Sequence, residues 1–334
     1  MKKTIIAVIT LLFFINLGQF SMHVVTSQET DGNIIYVDND GGKNYTSISE
    51  AIENATDGDI IFVYNGVYEG YFSIDKSIAL IGENKENTII TSEFSDQNAL
   101  ITILKNNVTI SGFTIKNSTI PYYHSLDEAD PPTWIYDVAI GIIVNSDGNL
   151  IDGNDITNNY GYGILLNQSH NTTISNNNIT KHDFACIYLK DSSNNTMFNN
   201  SIIDNEKGIV FHRNSTNNIL YFNNFINNTF YHAQSNSNNT FYNPATGKGN
   251  YWDDYNGTDK NNDAVGDSPY NISGGNNQDL YPLMAPYYGR LVIDKYYVDQ
   301  DLVIYMLWIA MIATIIFSIP IAYIWYRKTR PPKE

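Results

Sequence analysis

Four stretches decide the fold: Ile151-Asp-Gly-Asn154-Asp-Ile156, Ile174-Ser-Asn-Asn177-Asn-Ile179, Met197-Phe-Asn-Asn200-Ser-Ile202 and Leu220-Tyr-Phe-Asn223-Asn-Phe225. Each central asparagine follows the last by 23 residues, with an apolar residue three before it and another two after it. A second set, Gly141-Ile-Ile-Val144, Gly163-Ile-Leu-Leu166, Cys186-Ile-Tyr-Leu189 and Gly208-Ile-Val-Phe211, advances in steps of 22, 23 and 22. A period of this length means a solenoid, built either of leucine-rich repeats or of parallel β-helix coils. Leucine-rich repeats need several leucines per unit and room for a helix. These units instead hold short β-branched runs divided by Asn, Ser, Asp and Gly turns, which predicts a parallel β-helix. Coils then stack about 4.8 Å apart, and Asn154, Asn177, Asn200 and Asn223 are expected to form an inward amide ladder with a structural role.

Ile110, Phe113 and Ile115 fit the same frame with Phe113 in the asparagine place. Residues 121–136 interrupt the repeat, and Pro121 to Ile135 reads as a loop pushed out of one turn. A solenoid needs its open ends covered. Ile48, Ala51, Ile52 and Ala55 share one helical face, with Ser47 as the cap and Glu50 as its capping-box partner, so a short helix is expected to plug the N-terminal end.

The chain ends carry different signals. Residues 1–27 open with Lys2 and Lys3 and continue apolar, as a secretory signal does. Leu302 to Tyr326 is 25 residues without a charge, followed by Arg327, Lys328, Arg330 and Lys333. That pattern predicts a transmembrane helix with a cytoplasmic C-terminus, a single-pass type I arrangement in the cell membrane with the β-helix outside. The expected organisation is a signal at 1–27, cap and first coils at 28–106 and β-helix repeats at 107–245. An acidic closing segment follows at 246–290, then a juxtamembrane linker at 291–301, the membrane helix at 302–326 and a tail at 327–334. The fold class expected is thus all-β, a solenoid with one N-terminal capping helix and one C-terminal transmembrane helix.

Charge narrows the partners. With 35 acidic against 19 basic residues the net charge is −16, which repels nucleic acid and suits cations or neutral ligands. Cys186 is the single cysteine, so no internal disulfide forms.

Ile35-Tyr-Val-Asp38, Tyr45-Thr-Ser-Ile-Ser-Glu-Ala-Ile52, Gly58-Asp-Ile-Ile61, Gly66-Val-Tyr68, Lys76-Ser-Ile78 and Leu80-Ile-Gly82 resemble the opening of NosD-type, pectin-lyase-like right-handed β-helix proteins. The closing segment Gly249-Asn-Tyr-Trp-Asp-Asp-Tyr255, Asp263-Ala-Val-Gly-Asp-Ser-Pro-Tyr270 and Asp279-Leu-Tyr-Pro-Leu-Met284 is similar to that of membrane-anchored archaeal surface members. The resemblance implies a right-handed coil. For function it spans binding proteins, copper-site maturation factors and polysaccharide lyases, hydrolases and epimerases.

Several constellations could carry chemistry. Asp259, Asn261, Asp263 and Asp267 place oxygen ligands at alternate positions, as calcium loops do, although Ala264 stands where an EF-hand has glycine. Such Ca2+ would be structural. Copper wants soft or imidazole ligands; His124, His170, His182, His212 and His232 form no cluster, and only His182 and Cys186 stand four apart, so copper is disfavoured. Asp183 and Glu206 lie 23 apart, one coil step, and are the candidate catalytic carboxylates of a glycan-active site. The competing reading is surface charge pairing between coils. Tyr160, Tyr162, Tyr188 and Tyr221 are candidates for sugar stacking. Among fourteen Asn-x-Ser/Thr sequons, Asn171 and Asn214 are the preferred glycosylation positions.

The sequence is therefore read as a cell-surface, membrane-anchored β-helix protein that binds carbohydrate or envelope polymers without catalysis and without a required cofactor. A polysaccharide lyase, hydrolase or epimerase on the same scaffold is the first alternative, and a copper-binding or maturation factor the second. The balance is against an enzyme.

Overall fold

The computed structural model describes residues 32–92, 99–118, 139–287, 291–293 and 296–298. Three parallel sheets of eight, seven and eight strands wrap one core. The first sheet begins at Ile34–Val37 and ends at Ile219–Tyr221. The second runs from Gly66–Glu69 to Tyr251–Trp252, and the third from Phe72–Ile74 to Tyr231–Ser235. One coil contributes a strand to each, for example Thr173–Ser175, Asn178–Thr180 and Ala185–Lys190. Register between coils follows the repeat: Ile151 pairs with Ile174 and Ile174 with Met197, while Ile156 pairs with Ile179 and Ile179 with Ile202. These inward residues are fully buried. Each such side chain contributes about 1.5–3 kcal/mol by leaving water.

The corners repeat as strictly as the strands. Between the second and third sheets, Asn117, Asn158, Lys181, Asp204 and Asn227 all take positive φ, between 53 and 59°. A left-handed residue turns the chain sharply, and asparagine tolerates that conformation because its short amide bonds locally. The residue after each turn points inward and is buried: Asn159, His182, Asn205 and Asn228 at this corner. Between the first and second sheets the inward positions are Asn154, Asn177, Asn200, Asn223 and Asn250. The backbone N–H of Asn154 donates to Asn177 Oδ1 at 2.9 Å, that of Asn177 to Asn200 at 3.0 Å, and that of Asn200 to Asn223 at 3.0 Å. Phe113 N–H donates to Asn154 Oδ1 at 3.0 Å and starts the series.

Both ends are closed. The helix Ile48–Asn54 buries Ile48, Ala51 and Ile52, its N-cap is Ser47, and Lys76 Nζ donates to the carbonyls of Ile52 and Glu53 at 2.7 and 3.0 Å. At the far end Trp252 lies between Phe225 and Tyr270, with ring centroids 4.3 and 4.4 Å away and nearly parallel planes.

One part of the expected architecture is corrected. Among the described residues no helix is long and apolar enough to cross a membrane. Among the described residues the seven-residue Ile48–Asn54 is the one α-helix. The segment 302–326 on which the transmembrane expectation rested lies outside the described residues, as do 1–27 and 121–136. Leu291–Ile293 and Tyr296–Val298, within the expected linker, pair as an antiparallel hairpin.

Candidate functional site

The corner between the second and third sheets carries two adjoining clefts, of about 420 and 430 Å³. The first holds Lys181, Asp183, Asp204 and Glu206; the second holds Phe230, His232, Asp253, Asp254 and Tyr270; Thr229 lines both. The 23-residue repeat puts Tyr160, Asp183, Glu206 and Thr229 in one column along this corner. Glu206 N–H donates to the carbonyl of His182 at 3.1 Å, and its carboxylate sits 3.4 Å from Lys207 Nζ. Asp183 and Glu206 therefore share a cleft.

The second cleft was not anticipated from sequence. His232 is only 6% exposed, and its Nε2 stands 2.8 Å from Asp253 Oδ1 and 3.4 Å from Asp254 Oδ1. Asp253 Oδ2 accepts from Asn227 N–H at 2.6 Å, and Asp254 Oδ2 accepts from the Tyr270 hydroxyl at 3.2 Å. Burial is the main reason the Tyr270 hydroxyl is pushed far above the usual tyrosine range, with Asp254 adding to it. Phe230, 67% exposed, stands at the rim. The sequence signal was faint, because the last coil is longer: Asn223 to Asn250 is 27 residues rather than 23. That slip hides the placement of Asp253 and Asp254 beside His232.

The four tyrosines do not form one platform. Tyr160 lies at the corner, 41% exposed. Tyr162 and Tyr188 pack together on the third sheet, 4.9 Å between centroids, and burial pushes the Tyr188 hydroxyl up to about 12 and that of Tyr162 higher still. Tyr221, on the first sheet, stacks on Phe198 at 5.3 Å. Asn171 and Asn214 are exposed.

In the loop 259–267 the carboxylates turn onto their own backbone. Asp259 accepts from the N–H groups of Asp263 and Ala264 at 3.2 and 2.9 Å, Asp263 from Val265 N–H at 2.9 Å, and Asp267 from Lys260 N–H at 2.9 Å.

A scan of family models matches residues 52–257 to the periplasmic copper-binding protein (NosD) family. The chain belongs to the NosD family. It is a NosD-related, pectin-lyase-like right-handed β-helix. Its description is one of binding rather than of a reaction, which agrees with the expectation that weighs against an enzyme. No curated protein matches the chain. Among solved structures it is similar to pectin methylesterase from carrot, at 16% identity and TM-score 0.44, covering 68% of this chain and 79% of that one. It is similar also to the Aspergillus niger pectin methylesterase, at 12% identity and TM-score 0.39, covering 63% and 85%. A third is ORF18 of Geobacillus virus E2, at 16% and 0.41, covering 58% and 44%.

Cys186 and His182, which stand four apart in the sequence, do not fit copper, the metal that the family description implies. Cys186 is fully buried, and burial drives its thiol well above the ordinary range, away from the thiolate a metal needs. Both ring nitrogens of His182 face backbone carbonyls, those of Asn159 and Ile156 at 3.3 and 3.2 Å. Among the described residues His232, Asp253 and Asp254 bring one imidazole and two carboxylates close enough to share a cation, with no sulfur beside them.

The membrane-anchored, purely non-catalytic surface role expected from sequence is accordingly corrected. Among the described residues no helix is able to cross a membrane. The corner carries an imidazole and carboxylates in two adjoining clefts. The expected membrane partner, cell-membrane location with a cytoplasmic C-terminus and archaeal surface origin are withdrawn with it.

Proposed function

We propose that the corner groove is a polysaccharide site and that the chain is polysaccharide-active on this scaffold, the alternative that the sequence reading kept open. The observation that supports it is the succession of Asp183, Glu206 and Thr229, one per coil, opening into the cleft of Phe230, Asp253 and Asp254. Planar carboxylates beside an exposed aromatic ring are what sugar hydroxyls and sugar faces use. Two carboxylates in one cleft are also the minimum for glycosidic acid–base chemistry. Family membership supports binding, and Asp183 with Glu206 supports turnover.

One experiment separates the two. The full chain is incubated with a panel of polysaccharides while depletion of the protein and release of new sugar ends are measured. New ends that disappear in the Asp183→Asn, Glu206→Gln double variant support turnover; depletion without new ends removes turnover and leaves binding; the absence of both depletion and new ends removes the proposal.

Calcium in loop 259–267 is a separate proposal about the closing segment. A higher Tm in millimolar Ca2+ than in EDTA supports it, and an unchanged Tm removes it. Glycosylation at Asn171 and Asn214 is tested by the mass of those peptides from the native host.

A further inference from the structure

The cleft of His232, Asp253 and Asp254 has the donor set of a metal site, but one hydrogen-bond series decides against a metal. Asn228 Oδ1 accepts from both the N–H and the side-chain amide of Asn205, at 3.2 and 3.0 Å. Its orientation is thereby fixed. Asn228 Nδ2 then donates one hydrogen to the carbonyl of Ile202 at 3.0 Å, and its other hydrogen points at His232 Nδ1, 3.1 Å away. Nδ1 must accept, so the ring carries its proton on Nε2, where it donates to Asp253. A cation bound at Nε2 would need the proton on Nδ1, facing the amide hydrogens of Asn228. The ladder forbids that exchange without breaking its own bonds.

What remains is an imidazole N–H donor beside two carboxylates that line the cleft. Asp254 is 60% exposed at its side chain and Asp253 31%. Acceptors of this kind, beside the exposed ring of Phe230, suit a ligand that brings hydrogen-bond donors, positive charge and a flat apolar face together. Lys207, 5.6 Å from the Phe230 ring, is paired with Glu206 and leaves the two aspartates unneutralised. We infer that this cleft is a subsite for an amino sugar, its ammonium seated on Asp253 and Asp254 and its ring face on Phe230. The inference rests on the polysaccharide reading and narrows it to aminated rather than uronate polymers.

The test is calorimetric titration of the full chain with a glucosamine tetramer, the N-acetylated tetramer, a galacturonate tetramer and spermidine. The expected result is affinity for the aminated tetramer at least tenfold above the others, reduced to the N-acetylated level by Asp254→Asn and weakened by Phe230→Ala. Equal affinity for aminated and acetylated tetramers overturns the amino-sugar assignment and leaves the polysaccharide reading standing. Spermidine binding as tightly as the aminated tetramer shows an ammonium site without sugar recognition and also overturns it. Absence of binding by every tetramer, together with no retention on any polysaccharide of the panel, removes both. A zinc titration provides the second arm: binding that is lost in His232→Gln would overturn the proton placement.

Discussion

Asn250 gives its backbone N–H and its side-chain amide to the same oxygen of Asp279, at 2.7 and 3.4 Å. Asn250 is the last member of the series that begins at Asn154, since Asn223 N–H and Nδ2 donate to Asn250 Oδ1 at 3.1 and 2.9 Å. The backbone N–H groups of the series all point the same way along the solenoid. A carboxylate therefore ends the ladder at the donor side, where acceptor capacity is required and a further amide is not available. Trp252 Nε1–H and Tyr281 N–H also donate to Asp279, each at 3.0 Å.

Removing that acceptor leaves buried donors unsatisfied. Asp279→Ala should lower unfolding free energy by about 3 kcal/mol or more, measured by urea titration. Asp279→Asn, which keeps an acceptor oxygen, should lose less. An alanine variant as stable as the parent would show that the ladder does not need a terminus.

His182 is the irregular member of the corner series Asn159, His182, Asn205, Asn228. An uncharged imidazole has one proton for the two carbonyls that its nitrogens face. His182→Asn would offer Asn159 an acceptor oxygen, as Asn205 offers Oδ1 to His182 N–H at 3.1 Å. The substitution should stabilise by about 1 kcal/mol at neutral pH. A fall in Tm would show that the volume of the ring outweighs the hydrogen bonds.

The same residue sets a pH dependence. Burial holds the His182 pKa down at about 4, below its ordinary 6.5, so between those values the unfolded chain binds the extra proton. Stability from this group is present above pH 6.5 and lost as pH falls through 4. Asp279 acts with the opposite sign: burial raises it to about 6 from 3.8, so its contribution is present below pH 3.8 and lost as pH rises through 6. The two slopes oppose each other in the parent. The stability advantage of His182→Asn should therefore grow on acidification from pH 6.5 toward 4, by up to about 3 kcal/mol. Denaturant midpoints at a series of pH values measure it, and a constant difference would sink the assignment.

Gly163 is constrained by the coil above. A Cβ there would meet the carbonyl oxygen of Cys186 and Nε2 of His182, each at 2.7 Å, and Ile179 Cγ2 at 2.9 Å. Two of these neighbours are parts of the packed stack with no free end to swing away. Gly163→Ala should cost about 1–3 kcal/mol, read from thermal unfolding, whereas Gly41→Ala, with open space around it, should show only the backbone cost of its positive φ.

Asn228→Asp reverses one donor. The aspartate still accepts from Asn205 but has no hydrogen for His232 Nδ1, so the ring proton should move to Nδ1 and the Nε2 lone pair should open toward Asp253 and Asp254. Nitrogen-15 shifts of the imidazole report the tautomer directly, and the variant should gain zinc affinity over the parent. An unchanged tautomer would contradict the control that Asn228 exerts.

The period of 23, the Ile-x-x-Asn-x-Ile spacing and the amphipathic run from Ile48 to Ala55 were enough to specify stacked coils, an inward asparagine series and a plugged N-terminal end. Those features are legible because a solenoid makes each coil contact its neighbours at a fixed residue offset, so spatial adjacency is written as sequence periodicity. Asp183 and Glu206 fall in one cleft for the same reason. His232, Asp253 and Asp254 meet where the period fails, in a lengthened final coil, and no offset in the sequence announces that meeting. The tautomer of His232 depends on which way the Asn228 amide faces, and that is set by Asn205 one coil away. Tyr162, Tyr188 and Tyr221 show the same division: the repeat gives their order along the chain, but which sheet each strand joins decides that Tyr221 faces away from the other two. Residue spacing determined what stacks on what; the direction of each hydrogen bond and the closing of the irregular end were decided only by the packed three-dimensional chain, because donors and acceptors there are matched across coils rather than along them.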